Sequence, residues 1–279
     1  LLIPTIDRSD FIIKYLDYLN SESFKGEVLI GDSSDDFHFN KTKDYIEKFK
    51  STFNVIQLKC PNMFHFEAVY KMIPLISQPY CLYINDDDIV IVETLNKCMD
   101  FLENNDEYSG VGGVAINCAI NEDNYSKVER AYKYNVGELL QNSASERINN
   151  LMNAYSVIPF SLARSHEFVK RWPINDNLRD RGIAIELLPG NVMAAQGKVK
   201  MLNSLFVVRQ IHERRVILPN MYETVLQEDW SISTNFAIEY LAEIVAKVDS
   251  INYNDSMKSI KDAWQDYLFR SIIIKYSHN

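Results

Sequence analysis

The sequence has no uninterrupted apolar run near the ~18 residues that a membrane-spanning helix needs. Its amino terminus, LLIPTIDR, does not place a basic segment before an apolar one, as a secretory leader does. Only four cysteines occur, at positions 60, 81, 98 and 118, and no pair has CxxC spacing. They are expected to be reduced core residues of a reducing compartment. These absences predict a soluble cytoplasmic protein.

Basic residues are also in short supply. The 29 Lys and Arg residues are outnumbered by 38 Asp and Glu, which gives a net charge of −9. The basic residues are scattered and form no stripe, so nucleic acid is not an expected partner. With 279 residues, 47% of them hydrophobic, the chain has enough apolar material for one large domain with or without a helical appendage.

Strand and helix patterns alternate along the first hundred residues. The predicted strands are residues 1–6, VLIG at 28–31, FNVIQL at 53–58 and YCLYI at 80–84, and helices are predicted from about Phe11, at 41–51 and at about 66–76. Parallel strands need crossover connections, which helices supply. The pattern therefore predicts an α/β nucleotide-binding fold with a mostly parallel central sheet flanked by helices.

Three polar clusters follow predicted strands, at residues 5–8, 32–36 and 85–88. In an open α/β sheet, ligands bind beyond the carboxyl ends of the strands. The fold is thus expected to bring these three clusters together, and this convergence is the main argument for a site.

The third cluster, in YINDDDIV, places Asn85 before three consecutive aspartates, Asp86, Asp87 and Asp88. An acidic triplet can be a solvated turn, but apolar residues flank this one on both sides, where mutual repulsion of carboxylates costs more. Mg²⁺ or Mn²⁺ with a substrate diphosphate would remove that cost. The spacing of an EF-hand is absent, and so is the GxxxxGK[ST] phosphate loop.

Three segments, IPTIDRSDFIIKYLDYL, VLIGDSSDD and YCLYINDDDIV, together resemble the first half of GT-A fold glycosyltransferases of the family 2-like bacterial type. The resemblance covers residues 1 to about 100, and later only RQIHERR is similar. It implies that Pro4, Thr5 and Arg8 line the nucleotide, and that Asp32 accepts a hydrogen bond from the base.

The resemblance further implies that Asn85, Asp86 and Asp87 occupy the positions of the DxD motif, with Asp88 just after them. Asp87, Asp88 and the later His212 are the metal ligands that it implies. Two positions depart from the family pattern: Asn85 replaces the first Asp, and Val69 stands where a basic residue is often found. Lys71 or Arg8 is a substitute for that basic residue.

Candidates for a catalytic base lie in the second half, in the segment DNLRDRGIAIELLPG. Glu186 sits between apolar pairs, so desolvation is expected to raise its pKa, whereas Asp180 lies between two arginines and is expected to stay acidic. We favour Glu186 as the base. The alternative is that Glu186 only faces solvent on the surface of a helix. A retaining mechanism would need no such base. Residues 121–150 are polar and are interpreted as an insertion that shapes the acceptor pocket.

The sequence thus predicts a metal-dependent glycosyltransferase that uses a UDP-, GDP-, dTDP- or CMP-sugar and a glycan or lipid-linked glycan acceptor. Bacterial surface polysaccharide or lipopolysaccharide synthesis is the expected setting. A sugar nucleotidyltransferase and a non-catalytic nucleotide-binding scaffold are the alternatives. The predicted organisation is a catalytic domain at 1–220, divided into a donor half (1–100) and an acceptor half (101–220), and a helical extension at 221–279. The last helix is a candidate for peripheral contact with the inner face of the membrane.

Overall fold

A computed structural model describes residues 1–120, 127–158, 160–215 and 221–276, with side chains as far as residue 272. The strands are β1 Leu2–Thr5, β2 Glu27–Asp32, β3 Asn54–Lys59, β4 Tyr80–Cys81, β5 Asp88–Val90, β6 Tyr108–Ile120, β7 Val128–Tyr134, β8 Ala163–Arg164 and β9 Lys198–Ile211. The α-helices are α1 Ser9–Ser21, α2 Asp36–Lys48, α3 His65–Met72, α4 Val92–Glu103, α5 Ala144–Asn153, α6 Ser165–Val169, α7 Leu188–Gln196, α8 Met221–Val225, α9 Glu228–Val248 and α10 Tyr253–Tyr276.

The first three strands form a parallel sheet in the order β1-β2-β3, and α1 and α2 supply the crossovers. The predicted fourth strand continues this sheet, because Leu2 exchanges backbone hydrogen bonds of 2.9 and 3.1 Å with Leu82 and Ile84. Only residues 80–81 of this segment form a regular strand, β4, which pairs with β8. Because β1, β2 and β3 are parallel and connected by helices, the predicted α/β fold with a parallel sheet is confirmed.

Neighbouring residues of the parallel strands point to two separate cores. Leu2 and Leu29 lie in the core packed by α3, α5, α7, α9 and α10, whereas Ile3 and Ile30 lie in the core packed by α1 and α4. Successive side chains of a strand face opposite sides of its sheet. The continuous apolar runs of these strands are explained by burial on both faces.

A second sheet has the order β5-β9-β6-β7, in which β9 and β6 are parallel and the outer pairs are antiparallel. Its two long members, β6 and β9, contain the apolar segments SGVGGVAINCAI and MLNSLFVVRQI. The segment interpreted as an insertion contains β7 and most of α5, and its residues 121–126 lie outside the described residues. Pairing of β5 with β9 places the aspartate run directly opposite the end of β9.

The last two helices pack into the same core as the acceptor half. Trp230 and Leu241 of α9 and Trp264 of α10 are buried with α5 and α7. Among the helices over the described residues, none is long and apolar enough to cross a membrane.

Candidate active site

Side chains from β1, from the loop after it and from the aspartate run meet at one edge of the first sheet. The Thr5 hydroxyl donates to Asp86 Oδ2 at 2.6 Å. Arg8 Nη2 lies 2.7 Å from Asp86 Oδ1, and Arg8 Nη1 donates to Asp87 Oδ2 at 3.1 Å. The first and third polar clusters therefore converge, as the strand order predicts.

The second cluster joins the same edge. The backbone N–H of Asp7 donates to Ser34 Oγ at 2.7 Å, and Asp7 Oδ1 accepts from the N–H of Asp35 at 2.9 Å. Asp7 has a positive φ of 52°, a conformation that an aspartate tolerates better than most residues. These bonds fix the two loops that follow β1 and β2 against each other.

Burial dominates the electrostatics of the aspartate run. It raises the pKa of Asp86 to about 7, although the Arg8 guanidinium and the Thr5 hydroxyl act in the opposite direction. Arg8 and Asp86 Oδ1 form an ion pair, but the guanidinium N–H groups do not point at this oxygen. Asp86 Oδ1 therefore accepts no hydrogen bond from the described residues. The protein thus supplies one internal cation to a pair of adjacent buried carboxylates.

His212 follows β9 and contacts the run. Its Nε2 lies 2.9 Å from Asp87 Oδ2, and its buried Nδ1 has no hydrogen-bond partner in the described parts of the chain. An oxygen and an imidazole nitrogen side by side suit a divalent ion that takes its remaining ligands from water and a diphosphate. Asp87 and His212 therefore fit the predicted metal as a pair.

Asp88 does not complete that pair. Its carboxylate lies 3.3 Å from Arg209 Nε, directly across the β5–β9 pairing, and it accepts from Asn85 Nδ2 at 3.0 Å. Burial raises the pKa of Asp88 to about 6, against the opposing Arg209 guanidinium. No group of three His, Cys, Asp or Glu side chains able to hold a metal occurs within the described ranges, which corrects the predicted three-residue set.

Asp32 ends β2 in register with Thr5, at the predicted position, but its oxygens already have partners. Oδ1 accepts from the N–H of Ser34 at 3.0 Å and Oδ2 accepts from Gln57 Nε2 at 2.7 Å. Each carboxylate oxygen has a second lone pair, so a base N–H remains an acceptable further donor. Pro4, by contrast, lies buried within β1, where it pairs in register with Gly31.

A small cavity of about 130 Å³ opens beside the aspartate run. Three guanidinium groups and one carboxylate line it, and guanidinium groups suit the binding of phosphate. Its lining residues are Arg8, His65, Tyr83, Asn85, Asp87, Ile185, Arg209 and Arg215.

A larger cavity of about 380 Å³ contains both candidate bases, Asp180 and Glu186. Its other walls come from Phe64 and from the C-terminal helices, through Met221, Thr224, Gln227, Asp229, Trp230 and Tyr267. Arg181 stacks on Phe64 at its edge, 3.5 Å from the ring centroid. The described part of residues 121–150 contributes no lining residue to this cavity.

The pKa shift of Glu186 agrees with the prediction from the sequence, and that of Asp180 does not. Burial raises the pKa of Glu186, as predicted, and Tyr155 and Arg209 act against the rise. Burial also raises the pKa of Asp180, so the prediction that its flanking arginines keep it acidic is wrong. The arginines point elsewhere, since Arg181 stacks on Phe64 and Arg179 Nη1 stays 3.9 Å from Asp229.

The fold has counterparts among solved structures. A crystal structure of S. aureus TarS in complex with UDP-GlcNAc has a TM-score of 0.54 and 12% identity, over 97% of this chain and 80% of that chain. A second TarS structure, in complex with UDP, has the same score and identity over 96% and 70%. No protein-family model and no curated protein matches the sequence. The chain has a GT-A-like fold.

Within this GT-A-like fold, sequence reasoning missed several residues of the site. Arg209 is three positions before His212, but its role depends on the β5–β9 pairing, which no pattern indicates. Gln57 is hidden in an ordinary strand pattern, and Tyr155 and Tyr267 have no local signal among 16 tyrosines. His65, which begins α3 between aromatic residues, lines the small cavity, and burial lowers its pKa.

Proposed function

We propose that the chain transfers a sugar from a nucleotide-sugar donor to a hydroxyl group of a glycan or lipid-linked glycan acceptor. The observation that carries the proposal is the junction of the two cavities, which both receive residues of the π-helix Ile183–Leu187. Ile185 lines the smaller one beside Asp87, and Glu186 lines the larger one. A diphosphate and an acceptor can then lie on either side of the reacting carbon.

Donor binding is assigned to the sheet edge. Thr5, Arg8 and Asp86 form a fixed wall, and Asp32 is placed for the base. TarS, which has the similar fold, binds UDP-GlcNAc and UDP. A uracil-containing donor is therefore the first to test, followed by GDP-, dTDP- and CMP-sugars.

The proposal includes a divalent ion, Mn²⁺ or Mg²⁺, with Asp87 and His212 as its protein ligands. When bound, such an ion stabilises the negative charge of a diphosphate leaving group. Arg8, Arg209 and Arg215 add fixed positive charge around the same cavity. Glu186, with its raised pKa, accepts the proton of the acceptor hydroxyl as that oxygen attacks the anomeric carbon.

The setting is proposed from the same chemistry. The proposed role is in the synthesis of bacterial surface polysaccharide or lipopolysaccharide. An enzyme in that role takes its nucleotide sugar from the cytoplasm and works beside the membrane. In α10, Ile260, Ala263 and Trp264 are buried, whereas Phe269 is 66% exposed next to Arg270. An exposed aromatic residue next to a basic one suits contact with a bilayer surface. Sedimentation with anionic liposomes tests this, and equal supernatant recovery of wild type and Phe269→Ser would contradict it.

The decisive experiment incubates the purified chain with each nucleotide sugar and Mn²⁺ and measures release of nucleoside diphosphate, or of nucleoside monophosphate from a CMP-sugar. Release that depends on both the donor sugar and the metal supports the proposal. Thermal shift with the free nucleotides provides a binding readout that does not require the acceptor. No release and no shift with any donor would overturn it, and pyrophosphate release from a nucleoside triphosphate would indicate a nucleotidyltransferase.

A further inference from the structure

Tyr155, just beyond the C-terminus of α5, contacts Glu186 directly. Its hydroxyl donates to Glu186 Oε1 at 2.8 Å. Among the described residues, it is the single hydrogen-bond donor to this carboxylate. An ionised carboxylate accepts only, so the direction of this bond is fixed: Tyr155 donates and Glu186 accepts.

The tyrosine is itself held by the C-terminal helices. Its ring packs edge-on against Tyr267 of α10, with the centroids 5.5 Å apart and the planes at 62°. Tyr267 also lines the larger cavity beside Glu186. Tyr267 therefore contacts Tyr155, and Tyr155 contacts the candidate base Glu186. Tyr155 is 112 positions from Tyr267 and 31 positions from Glu186 along the sequence.

The charge state of Glu186 depends on every polar group that faces it. Tyr155 follows α5, Arg209 comes from β9, Tyr134 from β7, Tyr83 from the segment after β4 and Tyr267 from α10. Arg209 and Tyr155 favour the ionised carboxylate. Arg209 is also paired with Asp88, so Tyr155 is the group whose hydrogen bond is directed at Glu186 alone.

We propose that Tyr155 is a positioning residue that holds Oε1 of Glu186 and leaves Oε2 to accept the proton of the acceptor hydroxyl. The inference rests on the proposed function, because it assigns Glu186 as the base. Tyr267 keeps the Tyr155 ring in place, which gives the C-terminal helices a part in catalysis without contact with the reacting atoms.

Tyr155→Phe keeps the ring and its packing on Tyr267 but removes the donated hydrogen bond. Without that bond the pKa of Glu186 rises, so less of the base is ionised at low pH. We expect the acidic limb of the kcat profile to move to higher pH, by about one pH unit for each unit by which the pKa rises, so that kcat falls by up to about tenfold per unit on that limb and equals wild type on the plateau above it. The donor KM should change less than about twofold.

Tyr240→Phe is the matched control. Its hydroxyl donates to the Lys170 carbonyl at 2.8 Å, away from both cavities that contain the proposed site, so its pH profile should equal that of wild type. In the Glu186→Gln background, Tyr155→Phe should lower the residual turnover no further, because the group that it orients is absent.

The outcomes separate the two proposals. A shifted acidic limb that disappears in the Glu186→Gln background supports the positioning role. A wild-type pH profile for Tyr155→Phe overturns it while the proposed function stands, and so does an equal loss at all pH values in both backgrounds, which indicates a structural role. No donor turnover by wild type, with no binding of free nucleotides, overturns the proposed function and this inference with it.

Discussion

The guanidinium of Arg8 and the carboxylate of Asp86 form an ion pair of 2.7 Å in which the side chains are only 6% and 0% exposed. They are 78 positions apart, and their contact ties the loop after β1 to the aspartate run. Asp87 Oδ2 lies 3.1 Å from the same guanidinium, so two adjacent carboxylates share one positive charge. Removal of the guanidinium leaves both carboxylates buried without their shared cation, beside the Thr5 hydroxyl and His212.

Arg8→Met should therefore lower the free energy of unfolding by about 3–5 kcal/mol, measured by urea denaturation without divalent ions at pH 8, above the pKa of about 7 of Asp86. Arg214→Met is the matched control, since Arg214 pairs with Asp10 where the side chains are 48% and 40% exposed. An exposed pair contributes about 1 kcal/mol at most. Equal losses for the two variants would contradict the role of Arg8.

Asp32→Ala should weaken nucleotide binding by about 1–3 kcal/mol, the cost of an unsatisfied polar partner. Asp36→Ala is the comparison, because Asp36 is exposed and its pairing with Lys59 lies at the surface. Titration calorimetry with UDP, and then with the other nucleotides, measures the effect. Since Asp32 also holds Gln57, a melting temperature checks that both variants are folded. Unchanged affinity for the preferred nucleotide would refute the placement.

Asp87→Asn should reduce sugar transfer at every Mn²⁺ concentration and weaken the metal dependence of nucleotide binding. The substitution keeps the shape of the side chain and removes the charge that faces Arg8 and His212. Asp88→Asn is the comparison variant. This substitution weakens the ion pair with Arg209 and should lower the free energy of unfolding, but the half-saturating Mn²⁺ concentration should stay near that of wild type. A wild-type rate for Asp87→Asn across a Mn²⁺ titration would exclude Asp87 as the ligand.

The arrangement of the proposed donor side can be predicted from the sequence because it depends on local patterns. Thr5, Asp32 and Asp87 each follow an apolar strand, and parallel strands bring such positions to one edge. The acceptor side depends on long-range packing. Tyr155 reaches Glu186 because α5 packs on α10, and Asp88 turns to Arg209 because β5 pairs with β9. No local pattern specifies these pairings, so neither residue could be assigned correctly from the sequence.

Asp249 joins the C-terminus of α9 to the start of α5. Its carboxylate accepts from the N–H groups of Ala144 and Ser145 at 2.6 and 2.9 Å and from the Ser145 hydroxyl at 2.6 Å. Partial burial alone would raise the pKa of Asp249, but these hydrogen bonds outweigh it and the pKa lies below its ordinary value. The stabilisation is thus present above the unfolded pKa near 4 and is lost as pH falls through the lower folded pKa.

Asp249→Ala should lower the free energy of unfolding by about 1–3 kcal/mol at pH 7, and the difference from wild type should shrink below pH ~4. Asp106→Ala is the control, because its carboxylate is fully exposed and it should unfold like wild type. Urea denaturation across the pH range checks both. A pH-independent difference would mean that the charge of Asp249 does not contribute.

Glu186 and Asp180 line the same cavity, and burial raises the pKa of both, so neither position nor acidity alone identifies the base. Their hydrogen bonds differ. Asp180 Oδ1 accepts from the N–H of Ile183 at 2.9 Å, a structural cap on the π-helix, whereas Glu186 receives only the Tyr155 hydroxyl among the described donors.

Glu186→Gln should therefore lower turnover by about 10²–10⁴-fold with donor affinity near wild type, because general-base catalysis contributes that factor. Asp180→Asn, which keeps the oxygen that caps Ile183, should retain most of the activity. In wild type, kcat should fall as pH drops through the raised pKa of Glu186, and this acidic limb should vanish in Glu186→Gln. Loss in Asp180→Asn alone would make Asp180 the base, and full activity of both variants would require a retaining mechanism or a base elsewhere.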